Sequence, residues 1–174
     1  MQQKQRTMRP HDVLVLLKIV SFGADQWHQK PLAASIGISQ SEVSKSINRS
    51  KYAGLLDPKG QTVMKTAFLE FLTYGLAYLF PQKLGPVVRG VPTSHSKSPL
   101  KELIQSNEDI VWPHGKGKVR GHGLLPLCHS IPMAALKDDK LHQMLALVDA
   151  LRIGRTREKA LAVAELKKSF GLEK

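Results

Sequence analysis

The stretch LAASIGISQSEVSKSINRSKYAGLL, residues Leu32 to Leu56, holds two short helical patterns divided by a glycine. The first pattern, Lys30–Ile36, stops at Gly37, a residue that enters the left-handed conformation without steric cost. Ser39 then stands at an N-cap position, and Glu42 three residues later completes an S-x-x-E capping box. The helix that follows should run to about Ala53, with Gly54 closing it. It is built from poor helix formers, and it places Ser46 and Ser50 where leucine would pack better.

The offsets explain the composition. Ala33 is small where a large side chain would hold two helices apart. Gly37 sits where a sharp turn demands positive φ, and Val43 and Ile47 anchor the second helix onto the first. These are the steric requirements of a helix-turn-helix, whose second helix enters the major groove of DNA. The segment resembles that of bacterial winged-helix regulators, particularly the MarR-like group. Their pattern continues into an ARGLL-like ending and a wing hairpin; here the chain reads Lys51-Tyr52-Ala53-Gly54-Leu55-Leu56 followed by DPKGQTV. The likeness covers residues 10–66. It implies a sequence-specific double-stranded DNA-binding protein, a transcriptional regulator acting by operator occlusion. Ser46 and Ser50 depart from the group's apolar pattern: either they meet a polar neighbour or the helix packs less deeply.

A recognition helix must offer hydrogen-bonding groups to base edges and phosphates, so side-chain chemistry outranks helix propensity. Gln40, Ser41, Ser44, Lys45, Asn48 and Arg49 lie opposite Val43 and Ile47. Gln40 and Asn48 suit adenine, Lys45 and Arg49 suit guanine, and Ser39 or Ser41 suits a phosphate near the helix start. A merely solvated helix face would also be polar. Glu42 is the only acid between residues 26 and 56, which favours DNA. Lys59 at the turn tip, with Lys65 beyond it, is the candidate wing contact.

Outward from this segment, PHDVLVLLKIVSF (residues 10–22) predicts a helix with Pro10 in its first turn, Asp12 at the positive end of its dipole, and Val13, Leu16, Leu17 and Val20 on one face. Asp57-Pro58-Lys59-Gly60 predicts a turn inside a small hairpin. Lys65–Phe80 predicts a long helix with Phe68, Leu72, Leu76 and Leu79 on one side and Phe71, Tyr74 and Tyr78 on another. A helix apolar nearly all round is buried in a core or between subunits.

Beyond Pro81 the character changes. PQKLGPVVRGVPTSHSKSP reads as loop, Leu100–Ser106 as a short helix, and IVWPHGKGKVRGHGLLPL as two short strands around a Gly/Lys-rich turn. Asp138 or Asp139 opens a helix with Leu141, Leu145, Val148 and Leu151 on one face. Gly154 stops it, and Thr156 caps a last helix with Ala162, Val163, Leu166 and Phe170 inward. The expected fold is mainly α with a small β-hairpin wing. A winged helix-turn-helix domain with its following helix (10–80) precedes a loop-rich extension (81–136) and a C-terminal helical pair for interaction or dimerisation (137–174). The phrases RGVPTSH, VWP…GKVRG and LALVDALRIGRTRE resemble a group of small bacterial helix-turn-helix proteins, some encoded beside nucleotidyltransferase-like toxins. That resemblance implies an alternative: an antitoxin binding a partner toxin through its second half and operator DNA through its first.

Charge agrees with a polyanionic partner. The 174 residues carry 26 Lys and Arg against 14 acids, a formal +12, which puts nucleic acid first and an anionic membrane second. Residues 1–66 hold ten Lys/Arg and four acids, half of that excess. One cysteine, Cys128, permits no internal disulfide and fits a reducing cytoplasm. The longest apolar run, Ala67–Phe80, is short of the roughly 20 residues a membrane span requires, and MQQKQRTMRP lacks the apolar core of a signal peptide. His114, His122, Cys128 and His129 follow at spacings of eight, six and one, which match no common zinc site. Cys128 beside His129 has no visible orienting group or oxyanion hole. Gly115-Lys116-Gly117-Lys118 lacks the strand–loop–helix frame of a P-loop. The expectation is therefore no enzyme, no cofactor and no metal. Two-fold half-sites call for a homodimer, formed through Lys65–Phe80 or Asp138–Ile153.

Overall fold

Helix α1, Pro10–Phe22, organises the computed structural model, which describes residues 6–173. Asp12 Oδ2 accepts from Arg9 N at 2.7 Å, closing the start of the helix. The sequence pattern gave α1 one buried face, yet every residue from Asp12 to Val20 is buried. The additional cover comes from three sides: α2 (Gln29–Ile36), α3 (Gln40–Tyr52) and, far along the chain, α8 (Asp139–Ile153).

After α3 a minimal hairpin forms, with Leu56 bridging Val63 and Met64 N donating to Leu55 O at 2.9 Å. Gly60 N donates to Asp57 O at 2.9 Å, so the expected turn is present. Asp57 Oδ1 accepts from Gln61 N and Thr62 N, both at 2.7 Å, and locks the tip. Gly60 has φ +74°, and a Cβ there would lie 3.1 Å from the Ile47 methyl. The hairpin thus lies directly on α3.

The expected long helix 65–80 is broken at Gly75 into α4 (Lys65–Tyr74) and α5 (Leu76–Leu79). Phe68, Leu72 and Leu76 are buried and Phe71 is half-buried against the core, but Leu79, Tyr74 and Tyr78 are exposed, so the second apolar face is only partly covered. The expected helix 100–106 shrinks to α6, Leu100–Leu103.

A larger correction concerns the sheet. The segment read as loop supplies β1, Val87–Pro92. Strands β2 (Ile110–Pro113) and β3 (Val119–Gly123) do not form a hairpin with each other; each runs antiparallel to β1, and the two are parallel to one another where they meet. Glycine makes this possible: a Cβ at Gly90 would lie 2.0 Å from Trp112 O, so only glycine lets the strands close at that point. Helix α7, Ile131–Lys137, also lies within the expected loop region.

Asp138 is the N-cap of α8, accepting from Leu141 N at 3.1 Å. Thr156, expected as a cap, is instead the first residue of α9 (Thr156–Phe170); Arg155 precedes it, its N–H bonded to Glu158 Oε2 at 3.0 Å. Ala162, Leu166 and Phe170 are buried as expected, and the Phe170 ring stacks on Phe68 at 5.7 Å. One apolar cluster runs from Val13 through Phe68 and Trp112 to Phe170. It crosses both boundaries of the three-part division drawn from the sequence. Helix α8 is buried from Leu141 to Arg152 apart from the half-buried Gln143, which places it in the core of this chain and not on a dimer surface. The architecture is mainly helical with a small three-stranded sheet. Among the described residues no helix is long and apolar enough to cross a membrane.

Candidate nucleic-acid interface

The two helices α2 and α3 are joined as their residues require. Gly37 adopts φ +69°, ψ 32°, and Ala33, Val43 and Ile47 are buried beneath the turn. Ser39 Oγ accepts from Glu42 N at 3.1 Å, the forward half of the capping box. The Glu42 carboxylate does not make the reciprocal half that the pattern suggests. It accepts from Arg49 Nη2 at 2.8 Å, and this hydrogen bond holds its pKa below the usual carboxylate value.

Arg49 is the main correction at this site. Its guanidinium, expected to face guanine, donates to Asp12 from Nε at 2.9 Å and from Nη2 at 2.7 Å, as well as to Glu42. Asp12 is fully buried. Arg49 therefore ties α3 to α1 through Nε and Nη2, and most of its side chain is buried against α1 instead of standing on the outward face.

The remaining candidates sort by exposure. Ser39, Gln40, Ser41, Lys45 and Asn48 are exposed, and Ser44 is half-buried between them. Ser41, Lys45 and Asn48 recur at helical spacing and share one face of α3. Lys59 is exposed at the hairpin tip. Lys65 is half-buried and borders a different recess, beside Trp27 and Gln61, from the cleft that Asn48 shares with Pro58. Trp27 Nε1 donates to Gln61 O at 2.9 Å, pinning the hairpin on that side.

Two residues near the cleft were not singled out by the sequence. Arg6 lies over the Tyr52 ring at 5.3 Å, and Lys51 lines the same cleft, about 510 Å³ in volume. The signal available was the basic character of MQQKQRTMRP, which fixes no position for any of its residues.

Ser46 and Ser50 answer the question raised by the helix composition. With Val43 and Ile47 they form the i, i+3, i+4, i+7 stripe that faces the core. Both are 0% exposed, and neither hydroxyl has a hydrogen-bond partner. They meet no polar neighbour, and the helix is not shallowly packed. Space already closed around a serine has no room for a leucine, and overpacking costs about 1–3 kcal/mol. The unpartnered hydroxyl carries its own penalty, so Ser46→Ala and Ser50→Ala should each raise stability by about 1 kcal/mol. Urea unfolding measures this directly; a loss of stability in both variants would mean the hydroxyls are bonded.

The residues considered for other chemistry are dispersed. Among the described residues no three His, Cys, Asp or Glu side chains form a metal-binding group. Burial pushes the Cys128 thiol up to about 11, opposing thiolate formation at neutral pH. His122 lies 3.6 Å from Glu108 and bonds through Nδ1 to Gly85 O. No known protein family, no curated protein and no solved structure matches the chain.

Proposed function

We propose that residues 10–66 form a winged helix-turn-helix that binds double-stranded DNA sequence-specifically, and that the protein regulates transcription by occluding an operator. The observation that carries this reading is the exposed face of α3. Lys45, Asn48, Gln40 and Ser41 are free to solvent while the single acid of that helix, Glu42, is paired with Arg49, which it shares with Asp12. A surface offering amides, hydroxyls and one cation, with its carboxylate already paired, suits a base edge beside a phosphate. The hairpin adds Lys59 as a backbone contact, and Arg6 and Lys51 extend the basic surface along the cleft. The chain acts as a two-fold dimer on a pseudo-palindrome in this reading, and no catalytic role is assigned.

Footprinting on the DNA upstream of its own gene tests the proposal. Asn48→Ala should cost about 1–3 kcal/mol and relax specificity at one base pair; Lys45→Ala should weaken binding evenly and reduce the salt slope by about one if Lys45 sits on phosphate. For a dimer making about six to ten phosphate contacts, affinity should fall by about 10³–10⁵ between 50 and 200 mM salt. A flat salt response overturns the reading.

A second reading, an antitoxin-type module holding a partner protein, is favoured by one observation. Tyr78 and Leu125 are 87% and 62% exposed, and Arg152 donates to the carbonyls of Phe80 and Leu125, so the chain segments carrying these apolar side chains lie close together. Co-purification of a stable neighbouring protein separates this reading from the first.

A further inference from the structure

The Gly115–Lys118 turn, which the DNA reading does not use, forms one wall of a cavity of about 420 Å³ remote from α3 in the chain. Four lysines converge on it: Lys97 and Lys101 from the segment after β1, and Lys116 and Lys118 from the turn between β2 and β3. Its apolar lining comes from Val91, Val119 and Leu136, and the buried His142 ring closes it. Lys97 is paired with Asp139 at 2.5 Å, and the other nearby acid, Glu102, accepts from Ser98 Oγ. Among the described residues no carboxylate lies within 4 Å of Lys101, Lys116 or Lys118.

The lysine turn is held in place by its glycine. A Cβ at Gly117 would lie 2.1 Å from the Gly90 carbonyl carbon, so the turn is pressed against β1 at a spacing only a glycine pair allows. Gly117 N donates to His114 O at 3.0 Å and Lys116 N to His114 Nδ1 at 3.2 Å, which fixes the turn from within. His142 Nε2 donates to Pro92 O at 2.7 Å, anchoring the opposite wall. The frame from which the exposed Lys116 and Lys118 side chains extend is thus fixed, while their ammonium groups are ordered only on binding.

We propose that this cavity binds a phosphorylated small molecule of the nucleotide class. Its phosphates would meet Lys116, Lys118 and Lys101, and its ring would lie on Val91, Val119 and Leu136. The volume falls in the range of about 300–1,000 Å³ typical of small-ligand sites. Lysine ammonium groups bind phosphate as point charges without requiring a fixed fork geometry. A concave recess of this size fits a single nucleotide better than the convex backbone of a duplex. The proposal stands independently of the helix-turn-helix reading.

The test is isothermal titration of the full chain with ADP, pyrophosphate and adenosine in parallel. ADP should bind tightest, pyrophosphate more weakly, and adenosine weakest. The surface variant Lys116→Ala/Lys118→Ala should weaken ADP binding by about tenfold or more, a factor comparable to one charge-assisted hydrogen bond. Lys45→Ala should leave ADP binding unchanged, which separates this site from α3. The proposal is overturned if ADP gives no heat at millimolar concentration, if it binds no tighter than pyrophosphate, or if the double variant binds it as well as the unaltered chain. It also falls if the double variant loses affinity for duplex DNA instead, since the lysines would then belong to a nucleic-acid surface.

Discussion

Replacing Arg49 with alanine is expected to cost about 3–5 kcal/mol of folding stability, the penalty for stranding a buried charge. The stranded group is Asp12, which is fully buried and receives the Arg49 guanidinium through both Nε and Nη2. Among the described residues Arg9 N would remain its only donor. The same substitution releases Glu42, whose pKa Arg49 holds down by hydrogen bonding. A lowered carboxylate adds stability at neutral pH that is lost as pH falls through its depressed value. Acid should therefore narrow the gap between the variant and the unaltered chain. A paired change, Asp12→Leu with Arg49→Met, removes both charges and should recover much of the loss, because an apolar pair of similar volume often replaces a buried ion pair at little cost. Urea unfolding of the single and double variants measures these differences. Were Arg49 a base reader, alanine would abolish DNA binding and leave stability within about 0.5 kcal/mol, as for ordinary surface changes. The two outcomes are far apart.

Arg49 also shows where sequence reading reached its limit. The turn at Gly37, the Ser39 cap and the buried Val43 and Ile47 were legible because every constraint lies within a few residues of the next. The fate of Arg49 depends on Asp12, 37 positions away, and no helical periodicity contains that information. Strand β1 was hidden for a related reason. PVVRGVP carries the glycine and prolines that punctuate loops, yet Gly90 is there because Trp112 O approaches its Cα hydrogens. Gly117 and Gly121 have the same role: a Cβ at Gly121 would lie 2.5 Å from Asp109 O. Glycines chosen for close approach are indistinguishable in sequence from glycines chosen for turns. Helix α8 shows four apolar residues on one face in the sequence, yet Asp149 and Arg152 are buried with them, 2% and 9% exposed and bonded to each other, which no helical periodicity encodes.

That pair supplies the second large effect. Arg152→Ala should also destabilise by about 3–5 kcal/mol, which for a chain of this size lowers Tm by about 6–20 °C. Asp149 joins three separate segments: Oδ2 accepts from Thr93 Oγ1 at 2.7 Å and from Trp112 Nε1 at 2.6 Å, and Oδ1 accepts from Arg152 Nη1 at 3.0 Å. Arg152 then reaches the carbonyls of Phe80 at 3.2 Å and Leu125 at 3.4 Å. Residues of the phrases RGVPTSH, VWP and LALVDALRIGRTRE meet at this one carboxylate. Burial already pushes the Asp149 carboxyl up, so removing Arg152 leaves it with two neutral donors and favours its protonated form, and it frees the carbonyls of Phe80 and Leu125. Trp112→Phe keeps the ring volume and removes one donor, so its cost should be smaller, about 1–3 kcal/mol. Trp27→Phe, made as a background, leaves Trp112 as the only tryptophan and its fluorescence as a reporter of the sheet. In that background Arg152→Ala should shift the Trp112 transition to lower urea. An unchanged midpoint would show that apolar packing alone holds the sheet to α8, and that the buried charges are incidental to it.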